Sequence, residues 1–177
     1  MLSGARRAHR VLEGDWEPRR LVIVEFGSVA LAKGFYASPE YRDCKELRMA
    51  SGSANVILVE GLESTETPSN TGGTAGPKGY VLFDVNIHDM AQYQHDMQRV
   101  KPEIEAAGGR YLVRGAPHAV LEGGWDPHRL VIFEFPSVQH VEAFYNSDVY
   151  QTDTKALRDD CSSANIVLVE GLEDSST

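Results

Sequence analysis

Long apolar runs are missing from this chain of 177 residues. No stretch approaches the ~18 consecutive apolar residues that a membrane-spanning helix needs. Cysteine is nearly absent too. Cys44 and Cys161 stand alone with no CxxC neighbour, so neither a disulfide framework nor a cysteine-held zinc is expected. A reducing cytoplasm suits that usage, and MLSGARRAHR has no apolar core behind its basic residues to read as a secretory signal. Basic charge is scarce: 17 Lys and Arg face 26 Asp and Glu, a net charge of −9. Such a surface repels phosphate backbones and anionic lipid, so neither nucleic acid nor membrane is an expected partner. Also missing are GxGxxG, a P-loop, GxSxG and HExxH, which leaves nucleotide cofactors and the common hydrolase chemistries unsupported. No cofactor and no metal are expected.

What the chain does contain is itself, twice. HRVLEGDWEPRRLVIVEFGSV from His9 returns as HAVLEGGWDPHRLVIFEFPSV from His118, an offset of 109. Beyond Tyr41 and Tyr150 the offset is 110, because the second copy holds one more residue. Identities number 18 in 31 positions over 11–41 and 13 in 21 over 43–63. This is the pattern of a tandem duplication. The copies differ in extent. Residues 79–115 precede the shared part of the second copy, and only MLSGARR stands in the corresponding place of the first. The organisation read here is an incomplete first repeat over 1–63, a Ser/Thr/Gly/Pro-rich flexible linker over 64–78, a complete repeat over 79–173 and a tail over 174–177. The incomplete repeat reads either as the trace of a truncated start, the favoured reading, or as a unit completed by a second molecule.

The complete repeat reads as βαββαβ. YVLFDVNI (80–87) is β-branched and aromatic, a strand. Asp89 with Gln92 suggests a capping box. Met90, Tyr93, Met97, Val100, Ile104 and Ala107 then recur at helical spacing, ending at Gly108-Gly109 with Pro102 as a kink. RYLVRG and HAVLEG form a strand broken near Pro117, and LVIFEF (130–135) a further strand. Ser137 caps a second helix that Ser147-Asp148 interrupts, and NIVLVEG closes the repeat. The fold class is α+β: a ferredoxin-like sandwich with helices on one face of an antiparallel sheet. Alternation sends Val81, Phe83 and Val85 toward the helices and leaves Tyr80, Leu82, Asp84 and Asn86 on the other face, with Leu130, Ile132 and Glu134 beside them. That mixed face calls for a second sheet. Two copies packed sheet to sheet, within the chain or in a homodimer, would enclose a barrel-like interior.

RYLVRG, VLEGGW, PHRLVIFEF, FYNSDVY and VLVEGL together resemble the domain of unknown function 1330 family over 79–173, and over the shared part of 9–63. The resemblance implies a dimeric α+β-barrel and little chemistry. Relatives by fold include cofactor-independent monooxygenases, polyketide cyclases and lactone isomerases, which are analogies of scaffold. The reading taken from the residues is a cofactor-independent acid/base enzyme of isomerase, cyclase or lactone-rearranging type, with a non-catalytic binding or assembly module and a cofactor-free monooxygenase as the alternatives.

Strand parity places Asp84 and Glu134 on one face of neighbouring strands, with Arg114 on the next. Two carboxylates and a guanidinium in a half-dry interior could move a proton on a small-molecule carbonyl compound, Asp84 or Glu134 as base and Arg114 steadying the oxyanion. The same three residues also read as an ion-pair network at a seam. His118, Glu122, Trp125 and Arg129 recur as His9, Glu13, Trp16 and Arg20, a repetition that favours a structural role, with His118 as a secondary acid/base in the functional reading. Tyr80, Asn86 and Tyr145 complete the candidate ligand-binding set. His88, Gln92, His95 and Arg99 lie at helical spacing and read as a solvated face.

Overall fold

The computed structural model describes residues 9–63 and 77–172; the linker reading over 64–76 and the tail reading over 174–177 lie outside the described residues. The architecture is mixed α+β. Its elements in chain order are β1 (His9–Glu13), α1 (Val29–Ala37), α2 (Pro39–Ser51), β2 (Val56–Val59), β3 (Gly79–Ile87), α3 (Met90–Ala106), β4 (Arg110–Arg114), β5 (His118–Glu122), β6 (Leu130–Phe135), α4 (Val138–Tyr145), α5 (Lys155–Cys161) and β7 (Ser162–Glu170). Five strands form one antiparallel sheet in the order β1-β7-β3-β6-β4, and β2 and β5 form a separate pair.

Local chemistry starts the helices where the sequence places them. The Asp89 carboxylate accepts the Gln92 N–H at the head of α3, and the Ser137 hydroxyl accepts the His140 N–H at the head of α4. Between α4 and α5 the chain makes a π-helical turn, Val149–Thr154. This is the stretch in which the second repeat carries its extra residue, and the first repeat runs through the equivalent positions as regular α2. A π turn absorbs one inserted residue without changing the face that later side chains present. Lys155 and Arg158 therefore keep the orientation of Lys45 and Arg48.

The sheet has two apolar faces, as alternation on β3 and β6 requires. Val81, Phe83, Val85, Val131, Phe133, Phe135, Ile166 and Leu168 pack with Tyr93, Val100, Ile104, Val141 and Cys161 of the helices. Each fully buried side chain of this kind contributes about 1.5–3 kcal/mol. On the other face Leu82, Val113, Leu130 and Ile132 are covered by Trp16, Ile57 and Val59 of the first repeat together with Leu112 and Trp125.

The repeats are joined by exchange of strands. β1 of the first repeat pairs with β7 of the second, His9 opposite Val169, and β5 of the second pairs with β2 of the first, His118 opposite Val59. Those two pairings are equivalent under the 109/110 offset, so the halves meet about a pseudo-twofold relation.

Candidate functional site

Asp84 and Glu134 do share the face that alternation assigns them, but they do not meet. β3 and β6 run antiparallel with Tyr80 opposite Glu134 and Asp84 opposite Leu130. Four residues of strand separate the two carboxylates, about 13 Å at ~3.3 Å per residue. Each has its own partners. The Asp84 carboxylate is buried and accepts the His128 backbone N–H at 2.8 Å, with the His128 Nδ1 at 3.5 Å. Glu134 accepts from Lys78 Nζ at 3.1 Å and Arg110 Nε at 3.0 Å. Burial pushes the Glu134 carboxyl up, but Arg110 and Lys78 outweigh it and hold the group below the usual carboxylate range. Partial burial, with the neighbouring Glu134 adding to it, pushes the Tyr80 hydroxyl up to about 12.

Arg114 lies on the opposite face from the one parity assigns. The β4–β6 register shifts between Tyr111 and Val113, so that Tyr111 is opposite Phe133 but Val113 is opposite Ile132 and Arg114 opposite Val131. A bulge of this kind reverses the alternation beyond it. Val113 turns to the Trp16–Trp125 side and Arg114 to the helix side, where its guanidinium lies 5.0 Å from the Tyr111 ring. Asn86 stands exposed near the end of β3, past the last residue that β6 pairs.

His118, Glu122, Trp125 and Tyr145 are committed to the joint between the repeats. His118 Nε2 is 2.9 Å from Asp126 Oδ1. Glu122 takes Arg48 through two bonds of 2.8 Å, the Tyr36 hydroxyl at 3.0 Å and Lys45 at 3.6 Å. The Arg48 bonds lead in holding its carboxyl down at about 2, against desolvation. Glu13 mirrors it. It accepts from Arg158 Nη2 at 2.5 Å and the Tyr145 hydroxyl at 2.9 Å, with Lys155 at 3.5 Å. Tyr36 and Tyr145 also donate to the carbonyls of Leu121 and Leu12. Burial, more than the neighbouring Glu13, raises the Tyr145 hydroxyl well above its ordinary value.

Sequence reading missed the asparagines of the repeated SAN motif. Asn165 Oδ1 accepts the backbone N–H groups of Asp15 and Trp16 at 3.1 and 3.2 Å, and Asn55 Oδ1 accepts those of Gly124 and Trp125 at 3.0 and 3.1 Å. Each asparagine fixes the turn that carries one tryptophan. Gly14 and Gly123 sit there at φ +80° and +84°, and a Cβ on either would stand 2.1 Å from the asparagine oxygen. Their identity in both copies was the available signal.

One open volume lies on the helix side. A cavity of about 330 Å³ lies between α3 and the sheet. Phe83, Val85, Val131 and Phe133 floor it, Tyr93 and Met97 of α3 roof it, and Arg114, Arg129 and Arg158 reach its wall. Arg158 is consumed by Glu13, Asp159 and the Tyr150 hydroxyl. Arg129 differs: Nη1 and Nη2 reach the carbonyls of Gly115 and Arg114 at 3.5 and 3.2 Å, while Nε is buried with no hydrogen-bond partner. The ring of Tyr93 lies 5.8 Å from that guanidinium. Burial raises the Tyr93 hydroxyl, with Arg129 opposing it. Tyr111 is pushed up to about 12, again by burial, so both phenols stay neutral donors near neutral pH. On the opposite face, where the sequence reading put the pocket, Leu82, Leu130 and Ile132 pack with Trp16, Ile57, Val59 and Trp125.

Two halves joined through mirrored strand pairs and mirrored carboxylate clamps define a mixed α+β protein with a five-stranded antiparallel sheet. The family described as domain of unknown function (DUF1330) matches residues 4–62 and 78–172, and the chain belongs to that family. A comparison with curated proteins finds no match. Among the described residues no helix is long and apolar enough to cross a membrane.

Proposed function

We propose that this chain is a small-molecule-binding protein, with its two halves packed sheet to sheet as a ferredoxin-like dimeric α+β-barrel. Its ligand is an organic carboxylate with an apolar body, held in the cavity beneath α3. The observation that carries this reading is the pair of guanidiniums, Arg114 and Arg129, at the wall of a cavity floored by Phe83, Val85, Val131 and Phe133, with the Arg129 Nε left without a hydrogen-bond partner. Buried donors are nearly always paired, and leaving one unpaired costs about 1–3 kcal/mol. A carboxylate in the cavity would meet the charge of the Arg129 guanidinium, with Arg114 supplying a second positive charge at the same wall. In a chain of net charge −9, three arginines around one cavity, with Arg114 and Arg129 outside the Glu13 clamp that holds Arg158, are a local reversal that favours an anion. The volume lies at the small end of ligand pockets. Isothermal titration with octanoate and with octanol tests it. Octanoate is expected to bind with a Kd below about 1 mM, octanol at least tenfold more weakly, and Arg129→Gln to erase the difference. Equal binding of acid and alcohol would sink the carboxylate assignment.

The acid/base reading rests on a different pair. Asp84 sits against His128 on the side away from this cavity, and a carboxylate beside an imidazole is one arrangement that can take up a proton as a general base. An isomerase, cyclase or lactone-rearranging activity through this pair should wash deuterium from solvent into a β-keto ester, and His128→Gln should stop it. No exchange above the buffer rate would remove the enzyme reading.

A further inference from the structure

Residues 21–26, LVIVEF, are the counterparts of Leu130–Phe135 at an offset of 109. In the second repeat those residues are β6, paired on one edge by β3 and on the other by β4. In the first repeat 21–26 form no strand. Val22 and Val24 are 66% and 65% exposed, whereas their counterparts Val131 and Phe133 are 6% and 5% exposed. β2 shows the same deficit. Its counterpart β7 is paired on both edges, by β1 and by β3, while among the described residues β2 is paired by β5 and by no second strand. Both unpaired edges border one gap, the gap that β3 fills in the second repeat. Above it Leu31, Phe35 and Leu47 of α1 and α2 are exposed, on the helices whose second-repeat counterparts enclose the core together with α3.

We propose that this gap is a docking site for a strand–helix–strand polypeptide unit of the kind that Gly79–Arg114 forms in the second repeat. The register of the incoming strand follows from the filled gap. Asp84 lies between Leu130 and Asn165, Leu82 between Ile132 and Val167, and Tyr80 between Glu134 and Val169. The equivalent incoming residues would lie between Leu21 and Asn55, Ile23 and Ile57, and Glu25 and Val59. Charge agrees with shape. Glu134 is held by Lys78 and Arg110, one just ahead of the unit and one at the start of its second strand. Glu25 stands at the counterpart position to receive the same two cations. The site is continuous with the β2–β5 ladder that already joins the repeats, so docking would extend an existing sheet rather than start a new one. Exposed apolar edges of this length are otherwise aggregation sites.

Hydrogen exchange on the full chain, read by mass spectrometry, tests the proposal with a synthetic peptide of residues 78–115. Exchange at 21–26 and 56–59 should slow at least tenfold on adding the peptide. A peptide with Phe83→Pro, which breaks the strand, should give no slowing, and Glu25→Lys in the full chain should weaken the effect. In a covalent version, residues 78–117 replace 1–8 ahead of His9, and the same amides should be protected without added peptide. Unchanged exchange in both formats overturns the proposal. So does protection of 21–26 in the untreated chain at concentrations where sedimentation shows a dimer, because a second copy would then cover the gap.

Discussion

Trp16 and Trp125 stack with ring centroids 4.6 Å apart and planes 21° from parallel. They are equivalent residues of the two repeats, each held by the asparagine of the opposite half's terminal strand region, and together they close the second face of the sheet. The stack is therefore both a contact across the pseudo-twofold and the lid over Leu82, Leu130 and Ile132.

Replacing either tryptophan with alanine should cost about 3 kcal/mol, the low end for a large aromatic because both rings are only partly buried. A double-mutant cycle should return a coupling of about 1 kcal/mol for the stack itself. Urea denaturation of the three variants measures both. A coupling near zero would mean that the rings act only through their separate contacts.

The two clamps have the same chemistry and different surroundings. The Arg158 side chain is 4% exposed and that of Arg48 is 34% exposed. Arg158→Ala empties a buried position, strips Glu13 of its closest cation and leaves the buried Tyr150 hydroxyl without its partner, and should destabilise by about 3 kcal/mol. Arg48→Ala removes a partner that already faces water and leaves Lys45 and Tyr36 on Glu122, and about 1 kcal/mol is expected. Chemical denaturation of the pair decides it, and equal losses would contradict the burial argument.

Acid should weaken the protein through Glu122. Its folded pKa is about 2, below the ordinary carboxylate value of 4.5. A depressed carboxyl contributes stability that is fully present above its unfolded pKa and is lost as pH falls through the folded one. Melting temperature should therefore decline between about pH 4.5 and pH 2. Glu122→Gln should flatten that part of the profile while leaving a lower plateau at pH 7. A variant whose profile keeps the wild-type slope would assign acid sensitivity to other carboxylates.

Filling the cavity should remove binding and spare the fold. Met97 lines the space and is only partly buried, so Met97→Trp can place its ring in the void at a cost below about 2 kcal/mol. Octanoate titration should then give no heat. Undiminished binding would place the ligand elsewhere.

Much of this architecture was legible in residue order. The period of two in YVLFDVNI and LVIFEF identified the faces of β3 and β6, and Asp89 and Ser137 marked the starts of α3 and α4 because capping is settled within four residues. The candidate site was less legible. Parity assigned Asp84 and Glu134 to one face but carries no information on stagger, and the antiparallel register leaves them at opposite ends of the strand pair. Arg114 was misassigned because the bulge after Tyr111 has no proline or glycine to announce it. The cavity wall was assembled from Arg114, Arg129 and Tyr93, which the sequence had sorted into three unrelated groups.

By itself the sequence determined the internal repetition, the alternating faces of β3 and β6 and the capped helix starts, all consequences of periodicity or of contacts a few residues apart. Only the tertiary structure decided which carboxylate meets which arginine. Glu13 with Arg158 and Glu122 with Arg48 are joined across 145 and 74 residues. Such pairings depend on strand register and on the exchange of strands between halves. Register is a collective property of many weak backbone and packing terms, and no local stretch of residues encodes it.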